Sequence, residues 1–213
     1  MTKQLKSKKR VASFGEVNTS KREVNEMLDL VKQETERLDS RFLEPACGDG
    51  NFLIEVFNRK LEILVKQYKK NQYEFERNSI VVVGSIYGID ILEDNVRSSR
   101  EKIFEGFLVV YKKYFKEYMN DNFIKSVKFI IDKNIIYGDA LTLKKCDSGK
   151  PLTFCEWALI NKKLKRRDFF LNDLLAYAPF EKGTLFSDLG EEVIIPEPIK
   201  EYPLINYDEA FSL

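Results

Sequence analysis

Apolar and polar positions change period several times along the chain, and the changes divide it into elements. Residues 1–13, MTKQLKSKKRVAS, are basic and polar and carry no apolar period. Val24, Met27, Leu28 and Val31 then recur at helical spacing, and Ser20 followed by Glu23 is the capping-box signature of a helix start. The spacing predicts a helix from about Lys21 to Leu38. Phe42-Leu43 is a short apolar run that ends at Glu44 and a turn-setting Pro45. The small-residue loop Ala46-Cys47-Gly48-Asp49-Gly50 follows, and Asn51 opens a new apolar period through Phe52, Leu53, Val56, Phe57 and Leu61. Residues 42–52 therefore read as strand, glycine turn and helix, the opening unit of a nucleotide-binding α/β sheet, and the other elements are read around it.

The helix continues to about residue 69, and residues 69–79, KKNQYEFERNS, read as a polar break. Residues 79–95, SIVVVGSIYGIDILEDN, hold the second strand and place Asp90 at its carboxyl end. Residues 93–131 read as helix in two pieces, broken near Asn120-Asp121-Asn122. The stripe Phe104, Phe107, Tyr111, Tyr114, Phe115 and Tyr118 lies at helical spacing, which favours core packing over base stacking. Asn134 to Leu141 form the third strand with Asp139 as its edge acid, and Leu152 to Leu159 are the next strand candidate. Gly183 to Leu213, with Pro196, Pro198 and Pro203, reads as a loop-like tail. The expected organisation is a basic arm over 1–13, one α/β domain over 14–182 and the tail over 183–213.

Composition narrows the chemistry. The chain has 213 residues, enough for one α/β domain with a real core, and 35 basic against 34 acidic residues leave a net charge of +1. No global field draws it to nucleic acid, so DNA affinity has to come from local patches. The chain has no histidine, which removes His-containing triads, His metal sites and His general bases. Cys47, Cys146 and Cys155 lack metal-ligand spacing and are one short of a four-thiolate zinc site. They read as reduced residues of a cytoplasmic protein, with no metal and no membrane span expected.

In the glycine turn, two glycines one residue apart let the backbone take positive φ and approach a ligand. A dinucleotide fingerprint needs a third glycine where Leu53 stands, and no Gly-Lys-Ser/Thr is present to cradle ATP phosphates. The whole string FLEPACGDGNF closely resembles the first motif of S-adenosylmethionine-dependent DNA methyltransferases, especially adenine-amine enzymes of restriction–modification systems. The resemblance implies a class I methyltransferase (Rossmann-like) fold, an open twisted sheet with helices on both faces. It implies that Glu44, Pro45, Ala46, Cys47, Gly48, Asp49, Gly50, Asn51 and Phe52 wrap the methionine end of S-adenosyl-L-methionine. Residues 14–20, FGEVNTS, resemble the family's FGEVFTP-type segment, which puts Thr19 beside the methionine part; Ser20 replaces the usual Pro, and its plain role is a helix cap. GIDI resembles the second motif, with Asp90 and Ile91 toward the ribose. GDAL resembles the third, with Asp139 and Ala140 toward the adenine amine and Leu141 toward the adenine face. Simple turn or cap roles remain open for both aspartates.

The family's base-handling motif, Asn/Asp-Pro-Pro-aromatic, is missing, and the chain has no Pro-Pro at all. That chemistry needs an acceptor and a carbonyl for the two amine hydrogens of a flipped adenine, and an aromatic ring to stack on it. Glu156-Trp157 occupies the expected place with an acceptor and an aromatic. Two readings compete: a divergent catalytic pair, or structural residues of a domain without the reaction. Lys162, Lys163, Lys165, Arg166 and Arg167 form the densest basic run, read either as a solvated loop or as phosphate contacts, and the N-terminal arm is a second candidate for such contacts. The resemblance covers residues 14–141 well and the rest poorly. It implies a DNA adenine methyltransferase-like protein that binds DNA weakly alone and works with a specificity or restriction subunit. The alternatives are a catalytically silent cofactor- or DNA-binding subunit and a methyltransferase acting on RNA, protein or a small molecule.

Overall fold

The structure, a computed structural model, describes residues 19–176 and 196–213. The basic arm and residues 14–18 of the FGEV segment lie outside the described residues.

The capping box forms as the sequence requires: Ser20 Oγ accepts from Glu23 N–H and the Glu23 carboxylate accepts from Ser20 N–H. Helix α1 (Lys21–Asp29) buries Val24 and Leu28 and ends early; a second turn, α2 (Lys32–Thr35), follows. Met27 and Val31 are exposed, so nothing holds the helix straight through to Leu38. After β1 (Phe42–Glu44), α3 (Asn51–Tyr68) follows the glycine turn. The polar break and the start of the next apolar run are one helix, α4 (Gln72–Gly84), whose first turn is capped by the Asn71 side chain on Glu74 N–H. Ile80, Val82 and Val83 look strand-like because they are β-branched, but burial in the helical core decides their state. The strand β2 starts only at Ile86 and ends at Asp90.

Helix α5 (Glu93–Phe115) and a 3₁₀ turn (Lys116–Tyr118) lead to α6 (Asp121–Asn134), capped by Asn120 at the expected break. Most of the aromatic stripe is core: Phe107 and Tyr111 are fully buried and stack, with ring centroids 5.6 Å apart, while Tyr118 at its end is exposed. Next come β3 (Ile135–Asp139), β4 (Lys144–Lys145), β5 (Thr153–Ile160), β6 (Lys163–Phe170), the short α7 (Leu171–Ala176) and β7 (Lys200–Glu201). Of the expected tail, residues 183–195 lie outside the described residues; within 196–213, β7 pairs with β6 and a 3₁₀ helix (Tyr207–Ser212) buries Ala210, so this part is not loose. Tyr207 hydroxyl donates to the buried Glu76 carboxylate over 2.7 Å, which ties this end to α4.

The fold is mixed α/β. One sheet has the order β1-β2-β3-β4, with β1, β2 and β3 parallel and β4 antiparallel; the other has the order β5-β6-β7 and is antiparallel. Strand alternation sorts the parallel sheet into two faces. Ile86 and Ile135 join the large core made by α3, α4, α5 and α6. Tyr87, Ile89 and Ile136 face the other way and are covered by Leu152, Phe154 and Leu171. A full helical layer therefore lies on one face only; the second face carries the β5–β6 hairpin and the six-residue α7, among the described residues. This departs from the expectation of helices on both faces.

The direction of β5 matters for the site. Its start lies at the carboxyl end of the parallel strands, where a Cβ on Gly138 would meet Leu152 Cδ2 at 2.5 Å. Its later part lies at their amino end. Trp157 sits against Gly84, just before β2, and Trp157 Nε1–H donates to Asn134 Oδ1, just before β3, over 2.9 Å. Thus β5 runs opposite to β2 and β3.

Candidate functional site

The carboxyl ends of β1, β2 and β3 are Glu44, Asp90 and Asp139, which the parallel register brings to one edge of the sheet. In open α/β sheets this is the edge where ligands bind. The loop after β1 is pinned to β2 by its backbone: Cys47 N–H donates to Ile89 O, and Gly48 N–H donates to Asp90 Oδ2 over 2.8 Å.

The two loop glycines do different work. Gly50 has φ +92°, and a Cβ there would lie 2.5 Å from Ser99 Oγ of α5, so its missing side chain is what lets α5 approach the loop. Gly48 has φ +53°, and among the described residues a Cβ there would meet nothing within 4 Å, which leaves room for a ligand. Asp49 is bound by Lys102 of α5, whose Nζ donates to Asp49 Oδ2 over 2.9 Å. Cys47 is buried against Gly88, and burial, with Asp90 adding to it, holds its thiol far above the usual range. It is packing, not a nucleophile.

Asp90 is buried and already engaged. Oδ1 accepts from Leu92 N–H over 2.9 Å and from Asn95 Nδ2 over 3.2 Å, in addition to the Gly48 bond on Oδ2. A carboxylate has about four acceptor positions, so among the described residues one remains for a ligand. Asp90 is first the anchor of the glycine loop, and it cannot accept from both ribose hydroxyls without releasing a bond. Glu44 is half-buried, and burial raises its carboxyl above the ordinary value against one weak bond from Ala46 N–H at 3.4 Å. Among the described residues its remaining acceptor positions are open. Asp139 accepts from Leu141 N–H and Thr142 hydroxyl, both over 2.9 Å, and these bonds, the backbone one first, hold it below the usual carboxylate range. It is an ionised acceptor held in a fixed orientation. Beside the two edge acids stand two apolar side chains in solvent, Ile91, 41 % exposed, and Leu141, 95 % exposed. Pro45 and Ala46 are exposed at the loop, as is Asn51, while Phe52 packs against the main core and Ala140 against the smaller one.

Other expectations are not met at this edge. Thr19 is exposed ahead of the capping box, and among the described residues no hydrogen bond joins it to the glycine loop. Glu156 and Trp157 lie at the opposite, amino end of the parallel strands. Glu156 is held between two guanidiniums, Arg41 Nη2 and Arg167 Nε, each at 2.7 Å. Trp157 is buried, edge-on to Phe129 with centroids 6.2 Å apart. A five-residue strand separates the two ends by roughly 13 Å, so this pair cannot serve a ligand on the glycine loop. The direction of β5 accounts for this placement: running opposite to β2 and β3, it carries Glu156 and Trp157 away from the carboxyl edge.

The basic run is strand, not loop. Asn161 and Lys162, with φ +47° and +68°, form a two-residue turn, and Lys163 to Phe170 form β6. Its charges are used inside the protein. Lys163 bonds Asn206 over 2.6 Å, Lys165 pairs with Glu201 over 2.8 Å, the buried Arg166 pairs with Asp168 over 2.8 Å, and Arg167 pairs with Glu156. Few charges in this run are left for phosphate. The sequence reading missed Lys102, Asn95 and Ser99, which brace the glycine loop from α5. Their only signal was position in the first turns of the helix after Asp90.

No family, curated protein or solved structure matches the chain. Among the described residues no helix is long and apolar enough to cross a membrane, and no cluster of three metal-ligating side chains occurs.

Proposed function

We propose that the carboxyl edge of β1, β2 and β3 binds S-adenosyl-L-methionine, and that the chain is the cofactor-binding part of a DNA adenine-methyltransferase-type system rather than a self-sufficient enzyme. One observation carries the reading: the open space over Gly48 lies on a loop latched to Asp90, at the same edge as Glu44 and Asp139. Glu44 would face the cationic methionine end, Gly48 would lie against the cofactor, and Asp139 with Ile91 and Leu141 would hold the adenine. The cofactor supplies a methyl group on a positively charged sulfur. The residues of this chain bind and orient it. The burial of Trp157 and the ion pairing of Glu156 at the far end favour the reading without catalysis over the one in which this pair handles the base.

Calorimetry tests the cofactor. Micromolar binding of S-adenosylmethionine or its demethylated product is expected, on the order of −8 kcal/mol. Absence of heat with both forms, together with clear binding of NAD, overturns the reading.

A further inference from the structure

We infer that the outer edge of β1 is a docking edge for an extended, parallel strand of a partner polypeptide. Among the described residues β1 is the last strand of its sheet on that side. It is bonded to β2 through alternate residues: Phe42 N–H donates to Ser85 O over 2.9 Å, in the register Phe42 to Ile86. The alternation of a parallel ladder turns the N–H and C=O of Arg41 and Leu43 outward. Pro45, the next outward residue, has no N–H to offer, so the pairing register ends there.

Beside the edge lies a groove of about 430 Å³ lined by Phe42, Leu43, Tyr87, Phe154, Phe169 and Leu171. Side chains alternating along an added strand fill such a groove, as in β-strand addition to a sheet edge. Charge sets the direction. At the amino end of β1, Arg41 and Arg167 share one carboxylate, Glu156, which leaves a positive charge in surplus at the groove rim. A parallel strand that begins with an acidic residue meets that surplus.

The site calls for the same direction, and here the inference rests on the cofactor reading above. Open α/β sheets hold ligands at the point where strands continue to both sides of the strand that carries the glycine loop. Among the described residues β1 has a neighbour on the β2 side only, so a strand on its other side would supply the second wall of the crevice. A parallel strand beyond β1 ends at the carboxyl edge and supplies that wall; an antiparallel one begins there and meets Arg41 with the wrong end.

The test uses the whole chain, labelled with ¹⁵N, and two probe peptides, with a Lys-first third peptide for one variant. One is acetyl-Asp-Val-Thr-Val-Thr-Val-Asn-amide; the other has the same residues with Asp moved to the carboxyl end. The Asp-first peptide is expected to slow exchange of the Leu43 amide about tenfold, and the Asp-last peptide less. Leu43→Pro removes the outward N–H without touching a bond to β2 and is expected to weaken binding by about tenfold; Leu43→Val keeps it. Arg41→Glu is a second variant, expected to reject the Asp-first peptide and accept one that begins with Lys. A Leu43 amide already protected in the dilute chain alone assigns the edge to the chain's own residues and overturns the proposal. Protection that grows with chain concentration assigns it to a second copy and does the same, as does no response to either peptide. Edge protection without heat from S-adenosylmethionine overturns the cofactor reading and leaves the edge standing; heat without edge protection does the reverse.

Discussion

Gly48 and Gly50 stand two residues apart and fail differently when a side chain is added. Gly50→Ala forces a Cβ against Ser99 Oγ at 2.5 Å on a buried backbone with φ +92°. Overpacking and the left-handed backbone together cost about 2–4 kcal/mol. Gly48→Ala adds a Cβ to open space and carries only the backbone cost, about 1–2 kcal/mol. In urea unfolding Gly50→Ala is expected to lose clearly more stability than Gly48→Ala. In calorimetry the folded Gly48→Ala chain is expected to lose cofactor affinity by about tenfold or more. Equal losses of stability count against the packing argument, and unchanged affinity in Gly48→Ala against the site. Lys60 gives a second prediction at this scale. It is fully buried, donates to Leu38 O, Ser40 O and Ser85 Oγ, and burial lowers its amine to about 8. The unfolded chain holds the proton to about pH 10.4. Between these values the unfolded state binds more protons than the native one, so Lys60 favours folding increasingly as pH rises, and its cost is fully present below pH 8. Compared with Lys60→Met, the wild type is expected to gain roughly 1–2 kcal/mol of relative stability between pH 7.5 and 9.5. A difference that stays flat with pH, measured by urea unfolding, argues that the amine is not depressed.

At the scale of elements, the sequence was most legible where local signals and packing agree. Ser20 with Glu23 marked a helix start, Asn120 marked the break before α6, and the glycine turn placed β1 and α3. It was least legible where packing overrules local preference. Ile80 to Val83 are helical because α4 is buried among other helices, and the basic run is a strand because its cations find partners distant in sequence, Glu201, Asn206 and Glu156. The prolines of the C-terminal residues hid β7 and the docked 3₁₀ helix for the same reason. The hairpin turn allows a direct test. Ile160 pairs with Lys163, so Asn161 and Lys162 form the whole loop, both with positive φ. Asn-Gly is the preferred pair for such a turn. Lys162→Gly is expected to stabilise the chain by about 1 kcal/mol and to raise the melting temperature by roughly 2–4 °C. A lowered melting temperature places the turn outside the left-handed region.

At the scale of the whole molecule, the two ends of the parallel strands divide the work. The carboxyl end carries the glycine loop and the edge acids. The amino end carries the sole tryptophan, against Gly84 and Asn134, and the Arg41–Glu156–Arg167 group. Motif order alone puts Glu156 and Trp157 where the resemblance to DNA methyltransferases leads one to expect a catalytic pair. Strand direction, which no local pattern encodes, removes them from it. The consequence is a dissociation of stability from activity. Trp157→Ala opens a large cavity and leaves Asn134 Oδ1 without its donor, so a loss of about 3–5 kcal/mol is expected. Glu156→Gln keeps a hydrogen-bond acceptor between two partly exposed arginines and is expected to cost about 1 kcal/mol or less. Neither change reaches the glycine loop, so the folded fraction of each variant is expected to keep wild-type heat with S-adenosylmethionine. Methyl transfer from labelled cofactor to duplex and to single-stranded DNA is expected to stay at background for the chain alone, because the acceptors that orient a flipped adenine have to stand at the carboxyl edge to act in the reacting geometry. Robust transfer by the wild type that Glu156→Gln abolishes while cofactor heat persists returns catalysis to this pair and overturns the division. Background transfer by the chain that rises when a partner polypeptide is added locates the missing acceptors on that partner.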